Sequence, residues 1–480
     1  MNPTFSNLLS ALTALLCCLA CSGEGGKTLE LKSESDLSGL RIACTTGNYY
    51  ERKYSTREDV SLFTCNYESD AVQAVRQGLA DVFVSDEVML PPEAQERLGI
   101  IKAMRGDETF DVAFAIRKGN SKLKQQLDAF IATAPVEDII AHWVDGAPAV
   151  PDTMQAVISP DAAPLRCITA VNLEPVCYIG EDNEWMGMDA DLLKRFAKYV
   201  GRPFEMTFQN LGSGIMALQT GNADVVSACL YATEERRKSV DFSEPYYHCR
   251  AGYFVLDKSH NAGGSSFRER LERNLVTEGR WKLIADGLIE TLEITIFSIL
   301  LGTVLGCGVC AAKRSRRKWI RMAADIYNSF IAGIPTLVLL LIMFYVVFAG
   351  TGLNASLVAI VTFACCFASS SGSIFDTAIS SVPRGQTEAG LSLGFTPLRT
   401  FTGIVLPQAL QKGLPLYAAE CVALLKSTSI VGYIAIQDIT RASDLIRSRT
   451  FDAFIPLLIV TVLYFALAWI IRRLLTLLLK

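Results

Sequence analysis

The chain has 480 residues, half of them hydrophobic, with a mean hydropathy of +0.30 and a net charge of −4. That length exceeds one ordinary domain, and the near-neutral balance gives no sign of a nucleic-acid partner. Polarity is uneven: residues 27–280 carry most of the charge, whereas 294–312, 326–375 and 453–471 contain no Asp, Glu, Lys or Arg.

In chain order, "MNPTFSNLLSALTALLCCLACSGEGG" (1–26) has a short apolar core ending in "LAC" and reads as a secretory leader, with Cys21 a candidate for lipidation. The missing basic n-region and Cys18 count against lipidation. An uncleaved anchor is the alternative, but the apolar core is short for a span. "DLSGLRIACTTGNYYE" (36–51) follows as a polar lead-in, a short strand and a turn. "AVRQGLADV" (74–82) and "ALQTGNADV" (217–225) share Ala, Gly, Ala, Asp and Val at matching places. Each joins a helix-like pattern to a β-branched run, which predicts one α/β unit used twice in two similar lobes. The Pro-, Ala- and Asp-rich stretch 144–164 suits an exposed connector.

A hydrocarbon core of roughly 30 Å needs about 20 apolar residues per helix. The 326–375 stretch therefore predicts two spans broken at "AGTGLNAS" (349–356). A further span lies in 411–437, interrupted by Glu420 and Lys426, which makes five spans in all. The cluster "KRSRRKWIR" (313–321) after the first span favours a cytoplasmic loop. That puts the polar half outside and "RRLLTLLLK" inside; Arg441, Arg447 and Arg449 then fall outside and count against this orientation.

"GMDADLLKRFAKYVGRPFEMTF" with "GNADVVSACLYATEERRKSVDFSEPYY" resembles the first lobe of the polar amino-acid (type 3) periplasmic binding proteins. "DLSGLRIACTTGNYYE", "GLADVFVSD" and "DVAFAIRKGNSKLKQQLDAFI" resemble that family's second lobe and closing helix. The order is lobe two, then lobe one, as in a circular permutation. The resemblance implies a venus-flytrap domain that closes on a zwitterion, whose desolvated charges need partners. Arg236, in "TEERRK", matches the carboxylate-binding Arg, and a guanidinium grips a carboxylate bidentately. Asp86, in "VSDE" beside Ser85, matches the ammonium-binding Asp. Gly47 and Asn48 match the turn that offers N–H groups to the carboxylate. Where the family carries Gly and then Thr or Ser, this chain has Cys229 and Tyr231. Where it carries stacking aromatic rings, this chain has Leu173 and Leu211, so side-chain specificity does not transfer.

That half holds Cys44, Cys65, Cys167, Cys177, Cys229 and Cys249. By the resemblance Cys44 and Cys65 lie on neighbouring strands, where a disulfide or buried thiols both remain open. With three His and no Cys-x-x-Cys pair in this half, no metal site and no cofactor are expected.

"EAGLSLGFTPLRTFTGIVLP" (388–407) has Glu388, Ala389, Gly394, Ile404, Leu406 and Pro407 at the spacing of the cytoplasmic loop of ATP-binding-cassette importer permeases, with Gly390 for the second Ala. With "VPRGQ" before it and "LLKSTSIVGY" after it, residues 282–475 resemble the polar amino-acid uptake subfamily. The resemblance implies a short helix that docks on an ATPase subunit, small residues permitting close approach. The chain has no phosphate-binding Gly-x-x-x-x-Gly-Lys-Ser/Thr loop, so ATP hydrolysis is expected in that separate subunit. A permease homodimer is expected to enclose the pathway. Ser373 and Asp376 replace a usual Glu-x-x-Arg pair, Ala332-Gly333-Ile334-Pro335 replaces Arg-Gly-Thr-Pro, and Glu420 replaces an Asn. Asp376, Glu420 and Lys426 line the pathway or form a structural pair.

The expected architecture is an α/β bilobal solute-binding domain followed by an all-α five-helix transmembrane permease domain. Its parts are the leader (1–26), second lobe (36–118), closing helix (119–143), connector (144–164), first lobe (165–258), linker (259–281) and permease (282–480). The expected function is a membrane permease of an ATP-driven importer fused to its receptor for a small zwitterion. The rivals are a ligand sensor and a degenerate receptor that regulates without delivering; an enzyme fits least.

Overall fold

The computed structural model describes residues 28–153, 162–180, 184–258, 266–349, 351 and 353–477. The leader and Cys21 lie outside them. The first half folds as two five-stranded sheets. Lobe A contains β1 (Arg41–Thr45), β2 (Ser61–Cys65), β3 (Val82–Asp86), β4 (Ile100–Val112) and β12 (Tyr247–Leu256), ordered β2-β1-β3-β12-β4. Lobe B contains β5 (Ala115–Arg117), β6 (Leu165–Thr169), β9 (Phe204–Phe208), β10 (Val225–Ser227) and β11 (Val240–Phe242), ordered β11-β5-β10-β6-β9. A small ribbon pairs β7 (Tyr178–Ile179) with β8 (Trp185–Met186).

Read from opposite edges, the two orders are the same. Three parallel strands come first, in the order second, first, third. An antiparallel strand from the other half of the chain follows, and an edge strand completes the sheet. The central strands read as continuous apolar runs because both faces are covered; all five residues of β3 are buried. The expected division at 118 and 165 follows chain order, whereas the sheets exchange one strand each. Lobe B takes β5 and lobe A takes β12, so the chain crosses between lobes twice.

The internal echo has a structural meaning. Asp81 accepts the backbone N–H of Arg41 at 2.9 Å, and Asp224 accepts that of Arg166 at 3.0 Å. Each carboxylate satisfies an N–H at the start of the first parallel strand of its sheet, that of the first residue of β1 and of the second residue of β6. Each also pairs with that residue's guanidinium.

Lobe A carries α1 (Tyr49–Ser55), α2 (Glu68–Arg76) and α3 (Pro92–Leu98). Two helices, α4 (Ser121–Thr133) and α5 (Val136–Asp145), pack on α6 (Met188–Tyr199) of lobe B, which also carries α7 (Leu211–Thr220). Phe130 meets Phe196 at 5.6 Å, and the Trp143 indole donates to Asp191 at 3.1 Å. All six cysteines of this half are buried free thiols. The β1–β2 register sets Cys65 opposite Thr45 rather than Cys44.

The second half is helical: α8 (Phe267–Leu275), α9 (Trp281–Lys313), α10 (Lys318–Gly333), α11 (Thr336–Ile342), α12 (Ala355–Ser380), α13 (Arg384–Ser392), α14 (Pro397–Thr400), α15 (Leu406–Ser427), α16 (Ile439–Thr450) and α17 (Phe454–Leu477). Among the described residues four helices are long and apolar enough to cross a membrane. The pair α10 and α11, bent by 104°, makes five if it is one span. Pro335 makes that bend by holding Ile334 extended. Asn354 caps the start of α12, so the third span begins within the expected 349–356 break. Helices α9 and α12 cross closely on small residues: a Cβ on Gly306 would meet Ser371 Oγ at 2.2 Å. Asp376 pairs with Arg314 at 2.9 Å at the end of this crossing. The molecule is an integral membrane protein.

Candidate ligand cavity, docking helix and coupling loop

A cavity of about 320 Å³ lies between the lobes. Its walls are the carboxyl ends of the parallel strands of both sheets, where open α/β folds collect ligands. Lobe A contributes the turn Thr45–Asn48, Tyr49 and Tyr50 of α1, Asn66 and Glu68 around the start of α2, and Ser85 and Asp86 ending β3. Lobe B contributes Val171 after β6, Asn210 and Leu211 after β9, and Cys229, Tyr231 and Arg236 after β10.

The structure thus brings Arg236, Asp86, Gly47, Asn48, Ser85, Tyr231 and Leu211 to one cavity. Leu173 is corrected: it is 3% exposed, in the core of lobe B, bridged to Cys177. Sequence reasoning missed Tyr50, Asn66 and Glu68. It also missed the ring cluster: Tyr231 stacks on Phe110 at 4.3 Å, with Tyr49 edge-on at 5.7 Å. The side chains flanking the cavity are therefore aromatic, but the rings come from other positions than the family's.

The lobes touch across the cleft. Asp86, buried, accepts hydrogen bonds from Tyr50 at 2.8 Å and from Tyr231 of the opposite lobe. Arg236 donates to the carbonyl of Gly47 in lobe A at 2.9 Å and to that of Tyr231 at 3.2 Å. At the rim Arg52 pairs with Glu235. Asn48 spends its side chain locally, capping α1 through the Glu51 N–H at 2.8 Å and donating to Thr45 at 2.8 Å. The Gly47 N–H donates to the Glu51 carboxylate at 2.5 Å.

Burial dominates the electrostatics. It raises the Asp86 carboxyl to about 6, against the hydroxyls of Tyr231 and Tyr50 and the charge of Arg236. It raises Glu68 to about 7, with repulsion from Asp86 adding to the shift. It lowers Arg236 to about 10, with Arg52 acting in the same direction. Cys229 holds a left-handed backbone, φ 48°, where the family's Gly would be unstrained.

The underside of this receptor sits on α16. Arg441 stacks on Phe208 of lobe B at 4.4 Å and donates to its carbonyl at 2.6 Å. The same guanidinium donates to the Tyr67 hydroxyl of lobe A at 2.6 Å. Arg447 pairs with Asp70 of lobe A at 2.9 Å; Arg449 pairs with Glu174 at 2.8 Å and lies over Tyr178 at 4.2 Å. Asn172 donates to the Leu445 carbonyl at 2.9 Å. The three arginines that counted against the orientation are therefore accounted for as a docking face. Helix α16 reaches the membrane bundle at its start: the Ile439 N–H donates to Thr291 of α9 at 3.2 Å, and a Cβ on Gly287 would meet the Asp438 carbonyl at 2.7 Å.

At the other end of the bundle, α13 and α14 form an exposed hairpin. Glu388 and Ala389 are exposed on α13, and Gly394 turns the chain with φ +82°. The departure at Gly390 has a packing reason: a Cβ there would meet Thr400 Cγ2 at 2.6 Å. Leu393 and Leu398 are 75% and 72% exposed on the same loop, an apolar crown.

Comparison with known proteins agrees with both halves. The family described as bacterial extracellular solute-binding proteins, family 3, matches residues 165–393. The probable amino-acid ABC transporter permease YckA of Bacillus subtilis (strain 168) is 32% identical over 185 residues, 38% of this chain and 82% of that one. The L-cystine transport system permease TcyB of the same organism is 30% identical over 205 residues, 42% of this chain and 86% of that one. A crystal structure of an amino acid ABC transporter with histidines is 29% identical, covering 45% of this chain and 98% of that one at a TM-score of 0.40. The chain belongs to the amino-acid ABC transporter permeases, and it carries a solute-binding domain fused to its permease.

Proposed function

We propose that this protein imports an amino acid, captured by the interlobe cavity and passed to its own permease half. The observation that carries this reading is an arginine and an aspartate, from opposite lobes, on the wall of one cavity. Arg236 takes the ligand carboxylate and Asp86 its ammonium, with Ser85, Tyr231 and the Gly47–Asn48 turn beside them and Leu211 against the side chain. Tyr50 and Tyr231 hold Asp86 while the ligand is away. Closure of the lobes on the ligand is the signal sent to the permease through α16.

The domain is read as circularly permuted. The backbone N–H of Lys258, just past β12, donates to the Thr28 side chain, ahead of β1, at 3.2 Å, so the two segments meet within lobe A, as rejoining the original chain requires. The receptor faces the outside and the α13–α14 hairpin the cytoplasm, where Glu388, Ala389, Gly390 and Gly394 dock on a separate ATPase subunit. Two copies of the permease form the pathway.

Isothermal titration of the full chain in nanodiscs against the standard amino acids tests the central reading. Binding of at least one of them is expected. Binding of none, with the ATPase still recruited, would favour a receptor that only regulates. Glu388→Ala is expected to weaken co-purification of the ATPase subunit; an unchanged yield would count against the coupling loop.

A further inference from the structure

The cavity wall carries three charged side chains, and they do not balance. Arg236 enters from lobe B, whereas Asp86 and Glu68 both enter from lobe A. A ligand with one carboxylate and one ammonium satisfies Arg236 and Asp86 and leaves Glu68 over. A desolvated carboxylate without a counter-charge is costly, and cleft closure would make it more so. The neighbouring cations are already engaged. Arg52 is held by Glu235, Lys102 and Arg105 by Glu87, and Arg447 by Asp70. Among the described residues no ion pair involves Glu68.

Glu68 is nevertheless built to be ionised when a cation arrives. It is the first residue of α2, where the helix end favours negative charge, and the nearby Thr45 side chain acts against the burial that raises its carboxyl. Burial and Asp86 hold it part-protonated otherwise. Between the charged groups lie Val171, Leu211 and Cys229, an apolar strip suited to a methylene stem.

We infer that the ligand is a cationic amino acid, its α-carboxylate on Arg236, its α-ammonium on Asp86 and its side-chain cation on Glu68. This rests on the reading of the cavity as an amino-acid site. Titration of the full chain in nanodiscs with lysine, ornithine and arginine, against norleucine and glutamine, tests it. At least one basic ligand should bind about tenfold or more tighter than norleucine, the worth of one charge-assisted contact, and Glu68→Gln should close that gap. Equal or tighter binding of norleucine or glutamine overturns the inference while leaving the amino-acid reading intact. A preference that survives Glu68→Gln overturns the role of Glu68. Binding of neither class overturns both readings together. The wild-type ranking decides the first outcome even if the variant does not fold.

Discussion

The two lobes are built to one plan and do different work. Both set three parallel strands in the same order, both end their second helix in Gly, Ala and Asp, and both lay a turn at the cavity. Yet lobe A supplies the acids and the hydroxyl of Tyr50, whereas lobe B supplies the cation, the thiol and the aliphatic surface. Topology repeats because each lobe must bury the same kind of sheet. The charges differ because one ligand needs opposite partners on its two sides.

That division predicts a hierarchy of effects. Arg236→Ala removes the only cation among the described residues of the cavity wall and leaves a ligand carboxylate facing acids. Calorimetry should record a loss of amino-acid affinity of about 100-fold or more, as for breaking a buried pair, while the fold, read by circular dichroism, persists. Arg441→Ala breaks the contact that both lobes share. Thermal unfolding should show a loss of about 2–4 kcal/mol, the sum of two charge-assisted bonds and a cation–π contact, with faster amide exchange along 439–450. Matched substitutions of the echo come next: Asp81→Ala and Asp224→Ala should each cost about 1–3 kcal/mol by orphaning a strand N–H. Asp224 should cost the more, because it also holds Arg202 at 2.8 Å.

The acids of lobe A give a pH dependence, to which Asp189 of lobe B, raised to about 7 by burial, adds. Asp86 and Glu68 are raised to about 6 and about 7, so the folded state holds more protons than the unfolded chain above pH ~4. The stabilisation these acids contribute is then greatest below that pH and falls as pH rises toward 7. The Tm should drop by roughly a few degrees across this window, and Glu68→Gln should flatten part of the fall. An unchanged slope would deny Glu68 its share. The smallest effect belongs to lobe B: Cys229→Gly should relieve the left-handed backbone and gain about 1 kcal/mol, read as a higher Tm.

Much of the fold was legible because it rests on periodicity. The charge-free stretches mark the spans, and the repeated "ADV" marks the two strand–helix units, whereas the bend at Pro335 was not read. Arg236 and Asp86 were legible because "TEERRK" and "VSDE" match motif positions of the binding-protein family that they resemble. Glu68 was not: it opens a helix after Tyr67, and only the packing of α2 aims it at the cleft. Leu173 holds the expected place in the chain, but its bridge to Cys177 turns it into the core. Arg441, Arg447 and Arg449 looked like a topology signal because positive charge outside a span has that ordinary meaning. Their stacking on Tyr67, Phe208 and Tyr178 depends on surfaces nearly 400 residues away in the chain for one of them, beyond the reach of any local pattern.

The shared grip of α16 ties two equilibria into one. Any opening that parted Tyr67 from Phe208 would cost Arg441 one of its two contacts, so docking disfavours such an opening. A ligand that enters only the open form then meets a reduced population, and its apparent affinity falls by that fraction. Linkage runs both ways: whatever factor docking takes from the free receptor's affinity for entry, a ligand that stabilises closure returns to the strength of docking. A receptor built into its own permease therefore has two affinities, one on the helix and one off it, and their ratio measures how firmly Arg441 holds.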